Sequence, residues 1–249
     1  MTLLQTLFLG FVQGVTEFLP ISSSGHLNLF QHFLGYSPSL GFDIFLNTAT
    51  LFSVLFFFRK QLSFFFSHLP QIFVASLPTA FVALFFKDKV ELVFANVWLL
   101  PFFFITNSII LFSTKKSQGA SSEISLKQAI LIGISQSLAI FPGISRAGTT
   151  IAAALALGLS PQTAFNFSFC LFIPASFGAI LIGLKDFEIN TIVTSQYLLS
   201  FLLTFFVGLA ALNLLQRFLK NRQLYYFAYY TLILGLSYLA VNLGLIKLF

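Results

Sequence analysis

Gln13-Gly14-Val15-Thr16-Glu17-Phe18-Leu19-Pro20-Ile21-Ser22-Ser23-Ser24-Gly25-His26 is a polar break set inside apolar sequence. Residues 2–34 around it read as an apolar helix, a Pro/Gly break and a second apolar helix. A stretch at about 126–158 repeats the plan around Pro142-Gly143-Ile144-Ser145-Arg146-Ala147-Gly148-Thr149-Thr150. Each half is too short to cross a bilayer comfortably, since a spanning helix takes about 20 residues. Irregular backbone at membrane depth survives only where protein buries it or water reaches it. Each stretch is therefore expected to form a re-entrant hairpin with its tip inside the membrane.

The rest of the chain agrees with a membrane setting. Of 249 residues, 57% are hydrophobic and 8% are charged, against about 25% charged in an average soluble domain. Mean hydropathy is +0.94. No soluble fold of this length has an interior large enough for so much apolar surface. The net charge of +6 does not point to nucleic acid. Its basic residues lie in short loops between apolar runs, the positive-inside pattern. The single cysteine, Cys170, excludes an intrachain disulfide and a cysteine-based metal cluster and reads as a packing residue. The run Leu3 to Leu19 does not read as a signal peptide: it lacks a basic start and a clear cleavage site, and it contains Gln13 and Glu17.

Apolar periodic runs predict spanning helices at about 40–58, 71–86, 93–113, 163–184, 196–216 and 224–247. The 36 Phe residues, Phe56-Phe57-Phe58 and Phe64-Phe65-Phe66 among them, read as lipid-facing bulk. The fold class expected is an all-α integral membrane protein built as an inverted repeat. Each half is a re-entrant helical hairpin plus three transmembrane helices, within a single membrane domain, 1–249. The pseudo-repeats run about 1–113 and 126–249 and are joined by a cytoplasmic loop, 114–125. With Arg59 and Lys60 cytoplasmic, Lys115, Lys116, Lys127, Arg217, Lys220 and Arg222 fall on the same side. Lys87, Lys89, Lys185 and Lys247 fall outside. Gly10-x-x-Gln13 precedes the first break and Gly133-x-x-Gln136 the second. Inverted repeats bring broken helices together at mid-membrane, so the two polar tips are expected to meet.

The first tip offers Gln13, Glu17, Ser22, Ser23, Ser24 and His26. Gln13 and Glu17 are four apart and share one helix face. An ionisable residue at membrane depth is costly and defaults to a functional role. The second tip offers Ser145, Arg146, Thr149 and Thr150, framed by Gly143 and Gly148. The planar fork of Arg146 matches phosphate oxygens. The glycines would let backbone N–H groups form an anion nest at a helix start. The bland alternative is that Arg146 pairs with Glu17 to hold the halves together. Asp43 reads as a helix cap, and His32, His68, Asn47, Asn107 and Asn166 read as capping or interhelical hydrogen bonds. Trp98, Tyr225 and Tyr226 fit interface anchoring. A hydrolase acting on a lipid phosphate suits such a site, with the reactive group near the headgroups and the tail left in lipid.

At this point the chain resembles a known family. Gln13 to His26 is similar to the first signature of bacterial undecaprenyl-diphosphatase, the bacitracin-resistance membrane phosphatase family. Pro142 to Thr150 is similar to the second, and Phe42-Asp43 to an intervening segment. The resemblance implies hydrolysis of undecaprenyl diphosphate in the bilayer to undecaprenyl phosphate, the carrier of cell-wall precursors. It implies the plasma (inner) membrane of a bacterium, with a multi-pass chain whose site opens to the outer side. It further implies that a divalent cation (Mg²⁺ or Ca²⁺) supports activity and that the protein can form a homodimer.

By position, the resemblance implies catalytic roles for Glu17, Ser23, His26 and Arg146. It assigns phosphate binding to Ser145, Arg146 and Thr150. Gln13, Ser22, Ser24, Gly143, Gly148 and Thr149 complete the expected substrate site. Glu17 with Gln13 is the expected metal site, although the family has Glu or Gln at the first of these, and Gln13 leaves one carboxylate. Ala147 stands where the family often has Ser. In the expected mechanism Arg146 and backbone N–H groups hold the diphosphate, Ser23, His26 or a water attacks, and His26 moves the proton. The main alternative is a flippase for polyprenyl phosphate using the same site. A scaffold has no reason to keep Glu17 and Arg146 in the bilayer, and no ring of like charge suggests a channel.

Overall fold

Thr2 opens the first helix as a capping box: its hydroxyl accepts the Gln5 N–H, and the Gln5 amide oxygen accepts the Thr2 N–H. Ser125 and Gln128 make the same box further along. These two caps start the two segments whose polar breaks dominate the sequence. In the computed structural model, which describes residues 1–35, 40–86, 89, 92–93, 96–183 and 195–245, both segments are helix–break–helix units. The first is α1 (Leu3–Phe18) and α2 (Ser23–Phe33); the second is α7 (Leu126–Leu138) and α8 (Arg146–Ala156). Between and after them run α3 (Leu40–Phe57), α4 (Leu62–Ser67), α5 (Leu69–Phe85), α6 (Leu100–Ser113), α9 (Pro161–Gly183), α10 (Ser195–Lys220) and α11 (Tyr226–Asn242). The described residues contain no strand, only an isolated bridge between Ser121 and Leu159.

Each break has a local cause. Pro20 cannot continue a helix and drives the preceding residue out of the helical region. Leu19 is accordingly extended, at φ −65° and ψ 143°. Gly143 turns the second break with φ +99°. Helices α2 and α8 have 11 residues each, a rise of about 16 Å, roughly half a bilayer core. Helices α9 and α10 are long and apolar enough to cross a membrane alone.

Small residues bring the helices together, as expected where lipid tails compete with side chains for contact. At Gly10, α1 lies against α10: a Cβ would press on the side chains of Ser200 and Thr204. Ser200 donates its hydroxyl to the Thr6 carbonyl at 2.7 Å, and Thr204 donates to the Gly10 carbonyl at 2.9 Å. At Gly133, α7 lies directly on the backbone of Ala75 in α5. Helices α6 and α11 pair closely, as do α3 and α10, and α3 and α9.

The Phe residues divide between two environments, which corrects the expectation that they are lipid-facing bulk. Phe18, Phe104, Phe165, Phe167, Phe169 and Phe172 are fully buried. Phe18, Phe58, Phe165, Phe169 and Phe172 form a chain of ring contacts at the centre of the largest core cluster. Outside, Phe73, Leu84, Phe85, Phe206 and Ile233 are each more than 60% exposed. An apolar outer surface of this extent belongs in lipid rather than water.

Two boundaries differ from the sequence expectation. The third span begins at Leu100 after a short 3₁₀ turn, Val97–Leu99, because Pro101 suits the first turn of a helix. The Phe64–Phe66 run forms α4, a single short helix beside α9. Lys87, Asp88, Lys185, Asp186, Glu188 and Lys247, which entered the charge pattern or the loops, lie outside the described residues.

Candidate active site

The two tips meet. Ser22 caps α2 and also reaches across: its Oγ accepts the Gly25 N–H at 3.4 Å and the Gly143 N–H at 3.0 Å. Asn107 of α6 ties both tips from behind. It donates through Nδ2 to the Pro20 carbonyl and accepts the Ser145 N–H, both at 2.9 Å. Ser145 caps α8 by accepting the Gly148 N–H at 3.1 Å. Gly25 permits this approach, since a Cβ there would meet Gly143. Ser22 is held at φ +71° and ψ 101°, a region a non-glycine residue occupies at a cost of about 1–3 kcal/mol.

On the open side of this junction, Glu17 collects three donors. Ser23 Oγ donates to Oε2 at 2.5 Å, and Gln13 Nε2 donates to the same oxygen at 3.0 Å. Arg146 Nη2 reaches Oε1 at 3.1 Å, in an ion pair whose side chains are about one-seventh exposed. The guanidinium lies over the Phe172 ring, 4.0 Å from its centroid, with Phe169 further off at 5.8 Å. Two buried polar atoms of this group have no partner: Arg146 Nη1, a donor, and Gln13 Oε1, an acceptor. An unmet buried donor and acceptor are costly and mark where a ligand can bind.

Gln13, Glu17, Ser22, Ser23, Ser24, Ser145 and Arg146 all line one cavity of about 670 Å³. Its wall is mostly apolar, formed by α5, α7 and α9 through residues such as Ala80, Ala139, Ala175 and Ala179. A charged head site at one wall of an apolar chamber suits an amphiphile with an anionic end. Gln136, the counterpart of Gln13, also lines it and donates to Thr79 Oγ1 at 3.0 Å.

Several expected site residues stand elsewhere. Gly143, Gly148, Thr149 and Thr150 do not line the cavity. Thr149 and Thr150 turn their hydroxyls back to the carbonyls of Ser145 and Arg146, both at 2.8 Å, and Thr150 also meets Ser168 at 2.6 Å. The expected anion nest is not free: the N–H groups of Gly143, Ser145 and Gly148 are taken by Ser22, Asn107 and Ser145. Joining the tips consumes the first two of these donors, and the cap of α8 consumes the third. His26 is buried and also off the cavity wall. Its Nδ1 bonds the Ser22 carbonyl and its Nε2 the Tyr230 hydroxyl, each at 2.7 Å.

Asp43 and Asn47 face the cavity from α3, with Gln31 donating to Asp43 at 2.6 Å and Ser176 to Asn47 at 3.3 Å. Phe172 and Tyr230 carried no distinguishing signal among the many aromatic residues of the chain. Asn107 was legible as a hydrogen-bonding residue, and its bridging of two breaks required the fold.

A divalent cation finds a partial fit. No group of three or more His, Cys, Asp or Glu exists among the described residues. Glu17 and the unpartnered Gln13 Oε1 offer two oxygens on one helix turn. Hard cations such as Mg²⁺ commonly use one or two protein ligands and take the rest from phosphate and water.

Comparison with known proteins places these residues in a family. The family described as bacitracin resistance protein BacA matches residues 6–237. An undecaprenyl-diphosphatase of Methanobrevibacter smithii is 37% identical, over 95% of this chain and 96% of its own. One of Syntrophotalea carbinolica is 36% identical, over 97% of this chain and 100% of its own. Undecaprenyl-diphosphatase 2 of Bacillus thuringiensis is 32% identical, over 94% and 95%.

Proposed function

This chain belongs to the bacitracin resistance protein BacA family, and from that and its cavity we infer an undecaprenyl-diphosphatase. It is a membrane hydrolase that removes the terminal phosphate of undecaprenyl diphosphate and returns undecaprenyl phosphate to carry cell-wall precursors. One observation carries the placement of its chemistry. Ser23 donates to Glu17 at 2.5 Å beside an Arg146 whose Nη1 is buried and unpartnered.

In the proposed mechanism Arg146 Nη1 binds an oxygen of the terminal phosphoryl group. Its Nη2 stays on Glu17, and Phe172 fixes the guanidinium plane. Phosphoryl transfer depends chiefly on positioning and on charge stabilisation of this kind. Ser23 Oγ attacks the terminal phosphorus while its proton passes to Glu17. The bond from that phosphorus to the bridging oxygen breaks, and undecaprenyl phosphate leaves. Water then hydrolyses the phosphoserine, with Glu17 returning the proton to Ser23 and inorganic phosphate departing. Glu17 and Gln13 would hold a Mg²⁺ or Ca²⁺ ion, which when bound neutralises diphosphate charge. The apolar part of the cavity receives the first isoprene units and leaves the tail to the lipid.

The proposed architecture is an inverted repeat of two re-entrant hairpins, each followed by three spans, in the plasma membrane. Its support is a constant offset of 123 residues between matched features: Thr2 and Ser125 caps, Gly10 and Gly133 contacts, and Ser22 and Ser145 caps (125 − 2, 133 − 10, 145 − 22). Helix α1 packs on α10 as α7 packs on α5. Three basic loops share one end, where Arg222 donates to the Ser117 carbonyl and Gln71 to the Ile124 carbonyl. With that end cytoplasmic, the site opens toward the outer side.

The test is phosphate release from undecaprenyl diphosphate by purified protein in detergent. Ser23→Ala and Glu17→Gln should each lower kcat by at least about 100-fold. Absence of release by folded wild-type protein under Mg²⁺ or Ca²⁺ would reject the hydrolase and favour polyprenyl phosphate transport through the same cavity.

A further inference from the structure

Ser23 follows a strained residue, and something must hold that residue still. The Ser22 carbonyl accepts two bonds from His26, one from its backbone N–H at 3.2 Å and one from Nδ1 at 2.7 Å. A carbonyl only accepts, so Nδ1 carries the ring proton. Nε2 of a neutral imidazole is then an acceptor, and the Tyr230 hydroxyl, at 2.7 Å, donates to it. The two rings lie nearly parallel, 10° apart, with centroids at 5.7 Å. Phe104 closes the other side edge-on at 5.4 Å. His26 is 3% exposed and both its nitrogens are used, so no lone pair is left for Ser23 or a substrate.

We propose that Tyr230 and His26 are a positioning pair that clamps the Ser22 carbonyl and thereby aims Ser23 at Glu17. Tyr230 sits on α11, in the opposite half of the chain from Ser23. The relay runs from Tyr230 hydroxyl to His26 Nε2, and from His26 Nδ1–H to the Ser22 carbonyl. That carbonyl belongs to the peptide joining Ser22 to Ser23, so its plane sets the direction of the Ser23 side chain. Tyr230 selects the tautomer in which Nδ1 is protonated, much as a metal-bound histidine is oriented by the partner of its other nitrogen. Misplacing a reacting oxygen by about 1 Å costs up to about 100-fold in rate. A clamp of this kind acts on turnover and leaves the phosphate contacts at Arg146 untouched.

The proposal rests on the phosphatase function above, and its test has one arm that needs turnover and one that does not. Tyr230→Phe removes the donor but keeps the ring. It should lower kcat for undecaprenyl diphosphate by about tenfold with KM unchanged. His26→Asn puts an amide N–H close to the position of Nδ1 and should retain several-fold more activity than His26→Ala. A Tyr230→Phe enzyme with wild-type kcat, or a His26→Asn enzyme no more active than His26→Ala, would overturn the proposal.

Ring ¹⁵N spectra, with the His26 signals assigned by their loss in His26→Asn, should show the Nδ1–H tautomer in the wild type. The Nε2 resonance should move in Tyr230→Phe. An Nε2–H tautomer, or an Nε2 resonance indifferent to Tyr230, overturns the clamp whatever the activity. A wild type that releases no phosphate counts against the phosphatase alone, because the spectra still decide the clamp.

Discussion

Arg146 and Glu17, separated by 129 residues, meet at 3.1 Å with Arg146 Nη1 left buried and unpartnered. The pair therefore makes one contact and leaves one donor unused in a single geometry. One half of the guanidinium joins the tips, and the other half remains an unused donor at the cavity. The structural tie is present, and the proposed phosphate site is compatible with it, because a guanidinium has more N–H groups than one carboxylate oxygen uses.

Replacing Arg146 by Lys keeps the charge but loses the fork and the flat face over Phe172. Phosphate release should fall by about 100-fold to 1000-fold. Arg146→Ala should in addition lower unfolding stability by about 3 kcal/mol, since Glu17 is left without its cation in a mostly buried site. Steady-state kinetics and thermal unfolding in detergent separate the two effects. An active Arg146→Ala protein would refute the assigned site.

Phe172→Leu removes the ring 4.0 Å from the guanidinium. A desolvated cation–π contact of this kind is worth about 1–2 kcal/mol. The apparent KM for undecaprenyl diphosphate should rise by about five-fold to thirty-fold. Phe169→Leu, whose ring is 5.8 Å away, should change KM less. Equal effects would show that packing, and not the stacking on Arg146, matters.

Chelation should abolish phosphate release, and Mg²⁺ or Ca²⁺ should restore it if Glu17 and Gln13 hold a cation. Gln13→Glu supplies a second carboxylate on the same helix turn. It should lower the metal concentration for half-maximal activity by about tenfold, since ligand charge sets cation affinity. Release unaffected by chelator would exclude the metal.

Asn107→Leu strands two buried backbone groups, the Pro20 carbonyl and the Ser145 N–H. Each unmet group costs about 1–3 kcal/mol. The variant should be destabilised by several kcal/mol and should lose activity even below its melting temperature. Thermal unfolding, and phosphate release measured below the variant's melting temperature, check the two consequences. Wild-type stability would show that the tips are held by Ser22 and the ion pair alone.

The sequence by itself settled the solvent, the two breaks and most of the helices. Apolar periodicity, Pro20 and the Gly143 turn act over a few residues, so they are legible locally. The same holds for Glu17 and Gln13, which share a helix face by spacing alone. Only the tertiary structure decided how donors and acceptors were distributed once the breaks met. It spent the N–H groups of Gly143 and Ser145 on joining the tips and set the Thr150 hydroxyl against Ser168. It gave His26 to Tyr230, and it chose Phe172 from 36 Phe residues to carry Arg146. These choices are long-range. A hydrogen-bonding group shows in sequence what it can bind, and only the residues brought beside it decide what it does bind.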